Sequence, residues 1–232
     1  MLPASPASPS PRSARSTPAG AGKVLLTGFE PFGGETVNPS WLAVHALHGR
    51  RILGRKVVAA RLPTVFGDSL QVLNELLLHN QPELVICVGQ AGGRAAISLE
   101  RIAINVNDAR IPDNAGAQPI DTPVIHTGPN AYFTSLPIKA MRQTLQAVDI
   151  PAEVSQTAGT FVCNHVFYGL MHELARRRPL KSTRGGFIHV PWLPEQGHPG
   201  MALEMMAQAL RLCVRVALET RQDIAVGGGA LY

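Results

Sequence analysis

The sequence predicts an α/β domain with a mostly parallel central sheet covered by helices on both faces. Three observations carry that reading. Short apolar, β-rich runs such as KVLLTGF and ELVICVG are bounded by glycine and turn residues, as buried strands are. Between such runs lie segments of helical periodicity, of which DSLQVLNELLLHN is the clearest, with Leu70, Leu73, Leu76 and Leu77 on one face. Strands and helices alternate along the whole chain without an internal repeat, the order that parallel sheets with crossover helices require.

Taken in order, residues 1–22 (MLPASPASPSPRSARSTPAGAG) are Pro, Ser, Ala and Arg without one acidic side chain. They cannot bury enough apolar surface to offset ordering, so a disordered tail is expected, followed by one domain over 23–232. The tail lacks the continuous apolar core of a secretory signal. KVLLTGF forms the first strand. Asn38 followed by Pro39 caps and starts a helix that runs to about Leu47. KVVAARL is the second strand, residues 68–80 the second helix and ELVICVG the third strand. AISLERIAINVND alternates around Ile102, Ile104 and Val106, as a half-exposed strand does, and 109–135 is loop. Then follow helix PIKAMRQTLQAV, short strand AEVS, a long helix from Val162 to Arg177, strand GGFIHVPW and a last helix from Met201 to Glu219.

Composition excludes several classes of function. At 45% apolar the 232-residue chain is globular, and no apolar run approaches the ~20 residues of a membrane helix. The net charge of +5 comes largely from Arg clusters at 12 and 15, at 50 and 51, and at 176–178, and no nucleic-acid-binding signature accompanies it. Three widely spaced cysteines without a CxxC pair speak against a disulfide framework or a structural zinc site, and for a reducing compartment.

Chemistry in such folds collects where strands end and loops begin. After the first strand, TGFEPFGGETVNPSW is Gly-rich but matches neither GxGxxG nor GxxxxGKS, so it is a poor phosphate cradle. Its Phe29 and Phe32 either cap the core or form an aromatic slot for a small ligand. After the third strand, Glu100, Arg101, Asn105, Asn107, Asp108 and Arg110 crowd around an apolar strand, an arrangement that surface solvation or ion pairing also explains. The third place is Cys163, near the first turn of the long helix, where free N–H groups and the helix dipole favour a thiolate. Free cysteines are usually buried apolar residues, a reading that suits Cys87 in a strand and Cys213 mid-helix. A nucleophile needs a base. His165 lies two residues from Cys163, a rotation of roughly 200° along a helix, and points away from it. His45, His48, His79 and His172 read as helix-surface or helix-end residues. His189, in the strand after the helix, is better placed, while His126 and His198 in loops stay in contention. Glu100 is the best acidic partner to orient a histidine.

LLTGFEPFGGETVNPSW, GQAGGRAAISLERIAINVNDARIPDNAG and VSQTAGTFVCNHVFYGLMH resemble the signature stretches of the pyroglutamyl peptidase type I family, also called pyrrolidone-carboxylate peptidases. The resemblance runs from about Lys23 to the C-terminal helix. It implies that Cys163 in TAGTFVCN is the nucleophile, Glu100 the acidic member and His189 the base. It also implies a single three-layer α/β/α sandwich assembled as a homotetramer, cytoplasmic, which removes N-terminal pyroglutamate from peptides with no metal and no organic cofactor. Phe29, Phe32 and Phe161 would then sandwich the lactam ring. Gln90 and the Asn38 region would hydrogen-bond its amide, and Arg110 would stand near the catalytic site. Residues 1–22 depart from the pattern of most bacterial members.

Overall fold

Val24 to Phe29 have no appreciable contact with solvent, and they form all but the first residue of β1 (Lys23–Phe29), a central strand of the sheet. The computed structural model describes residues 22–229, so the tail expected over 1–22 lies, but for Gly22, outside the described residues. The other strands of the main sheet are β2 (Arg51–Ile52), β3 (Arg55–Leu62), β4 (Leu84–Gln90), β5 (Ile97–Glu100), β8 (Ala152–Ser155) and β9 (Arg184–Val190). Their order across the seven-stranded sheet is β2-β3-β1-β4-β9-β5-β8. β3, β1, β4 and β9 run parallel. β5 and β8 are parallel to each other and antiparallel to β9.

Helices cover both faces, giving three layers. One face packs α1 (Pro39–His45), α3 (Ile138–Gln146) and α5 (Leu203–Glu219) around Leu26, Ile86, Val88 and Ile188. The other packs α2 (Asp68–Asn80) and α4 (Val162–Arg176) around Leu25, Val85, Cys87 and Phe187. Side chains of each strand alternate between the two cores, and each fully buried Leu, Ile, Val or Phe contributes roughly 1.5–3 kcal/mol of transfer free energy. The helix starts follow their residues. Asn38 accepts hydrogen bonds from Ser40 N (3.0 Å) and Ser40 Oγ (2.7 Å) ahead of Pro39. Gly28 lets β1 pass under this helix, since a β-carbon there would lie 2.5 Å from Trp41 Cα.

Three expectations are corrected. The segment around Ile102 and Ile104 does not continue the strand that contains Glu100. Arg101 N still pairs with Ser155 O, but Thr134 N then pairs with Arg101 O, and the chain leaves the sheet to form a separate two-stranded ribbon. That ribbon is β6 (Ile102–Ile104) against β7 (Ala131–Phe133), so Glu100 ends its strand. The last helix starts at Leu203, not Met201, because Met201 N bonds Trp192 O. The first helix stops at His45, and turns carry the chain to Gly49 at φ +75°.

Candidate active site

Gly89 of β4 and His189 of β9 are register partners in parallel strands, so their side-chain directions point to the same face. A β-carbon built on Gly89 would lie 2.7 Å from Cys163 Sγ. The sulfur of Cys163 therefore fills the space above Gly89, beside the strand position of His189 and on the α4 face. Glu100 reaches the same face from β5, through the antiparallel pairing of Ser98 with His189. Its Oε1 accepts a hydrogen bond from His189 Nδ1 at 2.8 Å. Three residues scattered over 163–189 and position 100 are thus brought together by strand register.

The hydrogen bonds fix the histidine's form. A carboxylate only accepts, so Nδ1 carries the proton and Nε2 is left as the basic atom. His189 is 4% exposed, and its ring lies 4.9 Å from that of Phe187. Glu100 is wholly buried; Arg94 Nη1 also donates to its Oε1, at 2.8 Å, while Oε2 has no partner. Burial and the charge of Glu100 push the Cys163 thiol up, to about 12, against a smaller opposing pull from Arg94. Desolvation thus opposes the helix N-terminus, whose free N–H groups favour the thiolate. Cys87 and Cys213 are pushed up to about 12 by burial in the two cores.

Cys163 is half-buried at the second position of α4. The helix follows a turn at Gly159 (φ +77°), and its N-cap residue, Phe161, offers no side-chain acceptor. The first-turn N–H groups are left without a side-chain cap, and so are free to receive an oxyanion. Asn164 pins this turn to the ribbon, with Ile104 N donating to its Oδ1 and its Nδ2 donating to Ile104 O and Val106 O. His165 points away from the sulfur, as expected. Its Nδ1 meets Asn107 Oδ1 at 2.9 Å and its Nε2 accepts from Gly67 N at 3.2 Å. Burial lowers its pKa to about 4. His172 is no surface residue: it is buried, with Nδ1 2.9 Å from Tyr132 Oη.

Gly159, Thr160 and Phe161, in the loop that leads into α4, line a cleft of about 390 Å³ together with Asp108, Arg110 and Ile111. Phe32 and Phe161 approach to 6.0 Å between ring centroids, and Phe66 stands edge-on to Phe161 at 5.4 Å. Three loops are sewn together around these rings. Asp113 accepts from Phe66 N, Ala115 N and Ala117 N. Thr64 Oγ1 donates to Glu30 O, and Thr160 Oγ1 to Asp108 O. Phe29 sits lower. It is 2% exposed and packs on Phe187 in the core, so it backs the aromatic group from beneath. Asn38 is taken up internally: besides capping α1, its Nδ2 donates to Glu30 O at 3.0 Å, and it shapes the Phe29–Phe32 turn rather than offering its amide outward. Gln90 is the other departure. Alternation along β4 puts its side chain on the face of Ile86 and Val88, opposite Cys163, where Oε1 is buried without a partner. Only its main chain is at the site's end of the strand. Arg94, Phe66 and Gly89 were not singled out in the sequence; the run VFG around Phe66 carries the same signal, an aromatic in a polar turn, as Phe29 and Phe32.

A sequence profile of the pyroglutamyl peptidase family matches residues 22–220. The chain belongs to that family. It is 59% identical over 214 residues to a pyrrolidone-carboxylate peptidase of Cupriavidus taiwanensis, covering 90% of this chain and 99% of the relative. It is 54% identical to another from Bacillus cytotoxicus over the same shares. Among solved structures, the pyroglutamyl peptidase I of Bacillus amyloliquefaciens superposes with a TM-score of 0.86 at 51% identity, covering 89% of this chain and 99% of that one. A mutant pyrrolidone carboxyl peptidase of Pyrococcus furiosus gives 0.81 at 43%, over 85% and 98%. The matched range of the family profile spans the whole α/β/α unit. Among the described residues, no group of His, Cys, Asp or Glu could hold a metal ion, and no helix is long and apolar enough to cross a membrane.

Proposed function

We propose that this pyroglutamyl peptidase family member is a cysteine exopeptidase that hydrolyses the amide bond after an N-terminal pyroglutamyl residue, through a thioester acyl-enzyme. The observation that carries the reading is the convergence of Cys163 Sγ, His189 and Glu100 on one face of the sheet, at the mouth of α4. His189 Nε2, left free by the Nδ1 bond to Glu100, takes the thiol proton as general base. Sγ adds to the pyroglutamyl carbonyl, and the first-turn N–H groups of α4 receive the oxyanion. The imidazolium, steadied by Glu100, gives its proton to the departing amine. Water, deprotonated by His189, then hydrolyses the thioester.

Phe32, Phe66 and Phe161, backed by Phe29, suit a flat neutral lactam, and the main chain of Gln90 could meet its amide. Arg110 is exposed in the cleft, where its guanidinium is free to meet substrate. The same reading makes the protein a cytoplasmic homo-oligomer, a tetramer by family resemblance. Three free thiols and the exposed Ile120 (68%) and Phe133 (67%) support it.

The test is the ratio of kcat/KM for pyroglutamyl and prolyl aminomethylcoumarin amides. Prolyl carries a protonated amine, and burying it unpaired among the aromatic rings costs on the order of several kcal/mol. Loss of ~4 kcal/mol of transition-state binding gives a preference of about a thousandfold. A ratio within about tenfold, or ~1.4 kcal/mol, would point to a general aminopeptidase instead.

A further inference from the structure

The carboxylate of Glu100 lies where a charge is costly. None of its side chain reaches solvent, and Oε2 finds no partner. A neutral His189 supplies one N–H and no countercharge. The missing charge arrives from the turn between β4 and β5. Arg94 Nη1 donates to Glu100 Oε1 at 2.8 Å, the same oxygen that His189 Nδ1 meets at 2.8 Å. The guanidinium does not stop there. Nη1 also reaches Ser155 Oγ at 3.4 Å, and Nη2 donates to Thr157 O at 3.2 Å, in the loop that leads into α4 and Cys163. We propose that Arg94 is a positioning residue for the reaction, one that aims the Glu100 carboxylate at His189 and ties the nucleophile's loop to it.

The surroundings hold Arg94 in place before substrate arrives. Ala91 N bonds Val190 O, one residue past His189, and Arg94 N closes a turn on Ala91 O. Gly93 sits at φ +81°, and the turn lies flat on an indole: a β-carbon on Gly92 would lie 2.1 Å from Trp192 Cζ2. A turn clamped to the strand that carries the base is the preorganised support a catalytic pair needs. The fork of the guanidinium matters as much as its charge, because it spans carboxylate and carbonyl at once.

Removing the charge leaves Glu100 facing His189 alone, which favours the imidazolium and withholds the base from Cys163. Around His189, β5 presents Glu100 and Ser98, with Glu153 of β8 bonded to Ser98. β4 presents Gly89 and Cys87, α4 presents Cys163, and the turn presents Arg94. Glu100 and Arg94 are the charged pair whose balance the substitution upsets.

The inference rests on the peptidase reading and is tested within it. Wild-type protein, Arg94→Met, Arg94→Lys, Glu100→Gln and the double variant Arg94→Met/Glu100→Gln are assayed on pyroglutamyl aminomethylcoumarin across pH, with melting temperature as the control for folding. Arg94→Met should lower kcat by roughly tenfold or more with KM within about twofold, and move the acid limb of the profile to higher pH. Arg94→Lys should restore part of the rate but not all. In the Glu100→Gln background the same change should cost less than about threefold, since a residue acting through Glu100 has nothing left to position. An unchanged kcat in a folded Arg94→Met, or an equal loss in both backgrounds, overturns the proposal. A wild-type protein inactive on the substrate fails the peptidase reading instead.

Discussion

Gly89 on β4 and Cys163 on α4 occupy one space: the β-carbon that Gly89 lacks would stand 2.7 Å from Cys163 Sγ and 2.9 Å from Phe187 Cζ. The neighbours are a sulfur near the start of a helix pinned by Asn164 and a fully buried ring, neither of which can move away cheaply. Gly89→Ala should displace the nucleophile from the base on the same face. Turnover should fall by roughly a hundredfold, the scale of an ångström's misplacement near a reacting atom, with a smaller drop in stability. Full activity in a folded Gly89→Ala would show that the sulfur is not held where the structure puts it.

The three cysteines separate cleanly. Cys163 is half-buried beside His189, whereas Cys87 and Cys213 are sealed in opposite cores. Cys163→Ser should remove turnover by about a thousandfold or more while leaving the melting temperature near that of the parent, because a poorer nucleophile of similar size replaces the thiol. Cys87→Ser and Cys213→Ser should keep kcat and lose stability instead. Iodoacetamide labelling followed by peptide mass mapping checks the same point, and modification confined to Cys87 would contradict it.

His189 and His165 should fail in different ways. His189→Ala removes the base and should abolish hydrolysis in a folded protein. His165→Ala leaves Gly67 N–H and the Asn107 amide without their partners, a loss of about 1–3 kcal/mol in stability with chemistry retained at permissive temperature. Parallel kinetics and urea unfolding distinguish the two. Equal kinetic damage in both folded variants would place His165 in the reaction.

His165 also makes stability depend on pH. Its folded pKa lies at about 4, below its ordinary value of 6.5, because burial disfavours the charged ring. Between these values the unfolded chain binds the extra proton, so stability contributed by the neutral ring is complete above about pH 6.5 and drains away as pH falls toward 4. The full difference is about 3 kcal/mol. The wild type should therefore lose more stability than His165→Gln between pH 7 and 4, measured by urea unfolding. Parallel curves for the two proteins would remove His165 as the cause.

Much of this protein was legible in the linear sequence because local rules fix it. Continuous apolar runs announced β1, β4 and β9, the Asn38–Pro39 pair announced α1, and the spacing of leucines announced α2. Helical rotation alone turned His165 away from Cys163, as the bonds to Asn107 and Gly67 bear out. Tertiary structure decided what depends on distant segments. The pairing of Ser98 with His189 selects Glu100 as the histidine's partner, and no local pattern encodes that antiparallel register between β5 and β9. The same holds where the chain leaves the sheet at Arg101, since the competing strand, β7, comes thirty residues later. Phe29 and Phe32 look alike in a turn, yet the end of β1 drives the first into the core and leaves the second against Phe161. Arg94 showed in the sequence only as one charge in a glycine-rich loop; its role emerges from the carboxylate, the hydroxyl and the carbonyl that three other segments bring to it. Apolar periodicity and capping act over a few residues and can be read in order. The charges and voids that make a site reactive are set by packing between segments far apart in the chain.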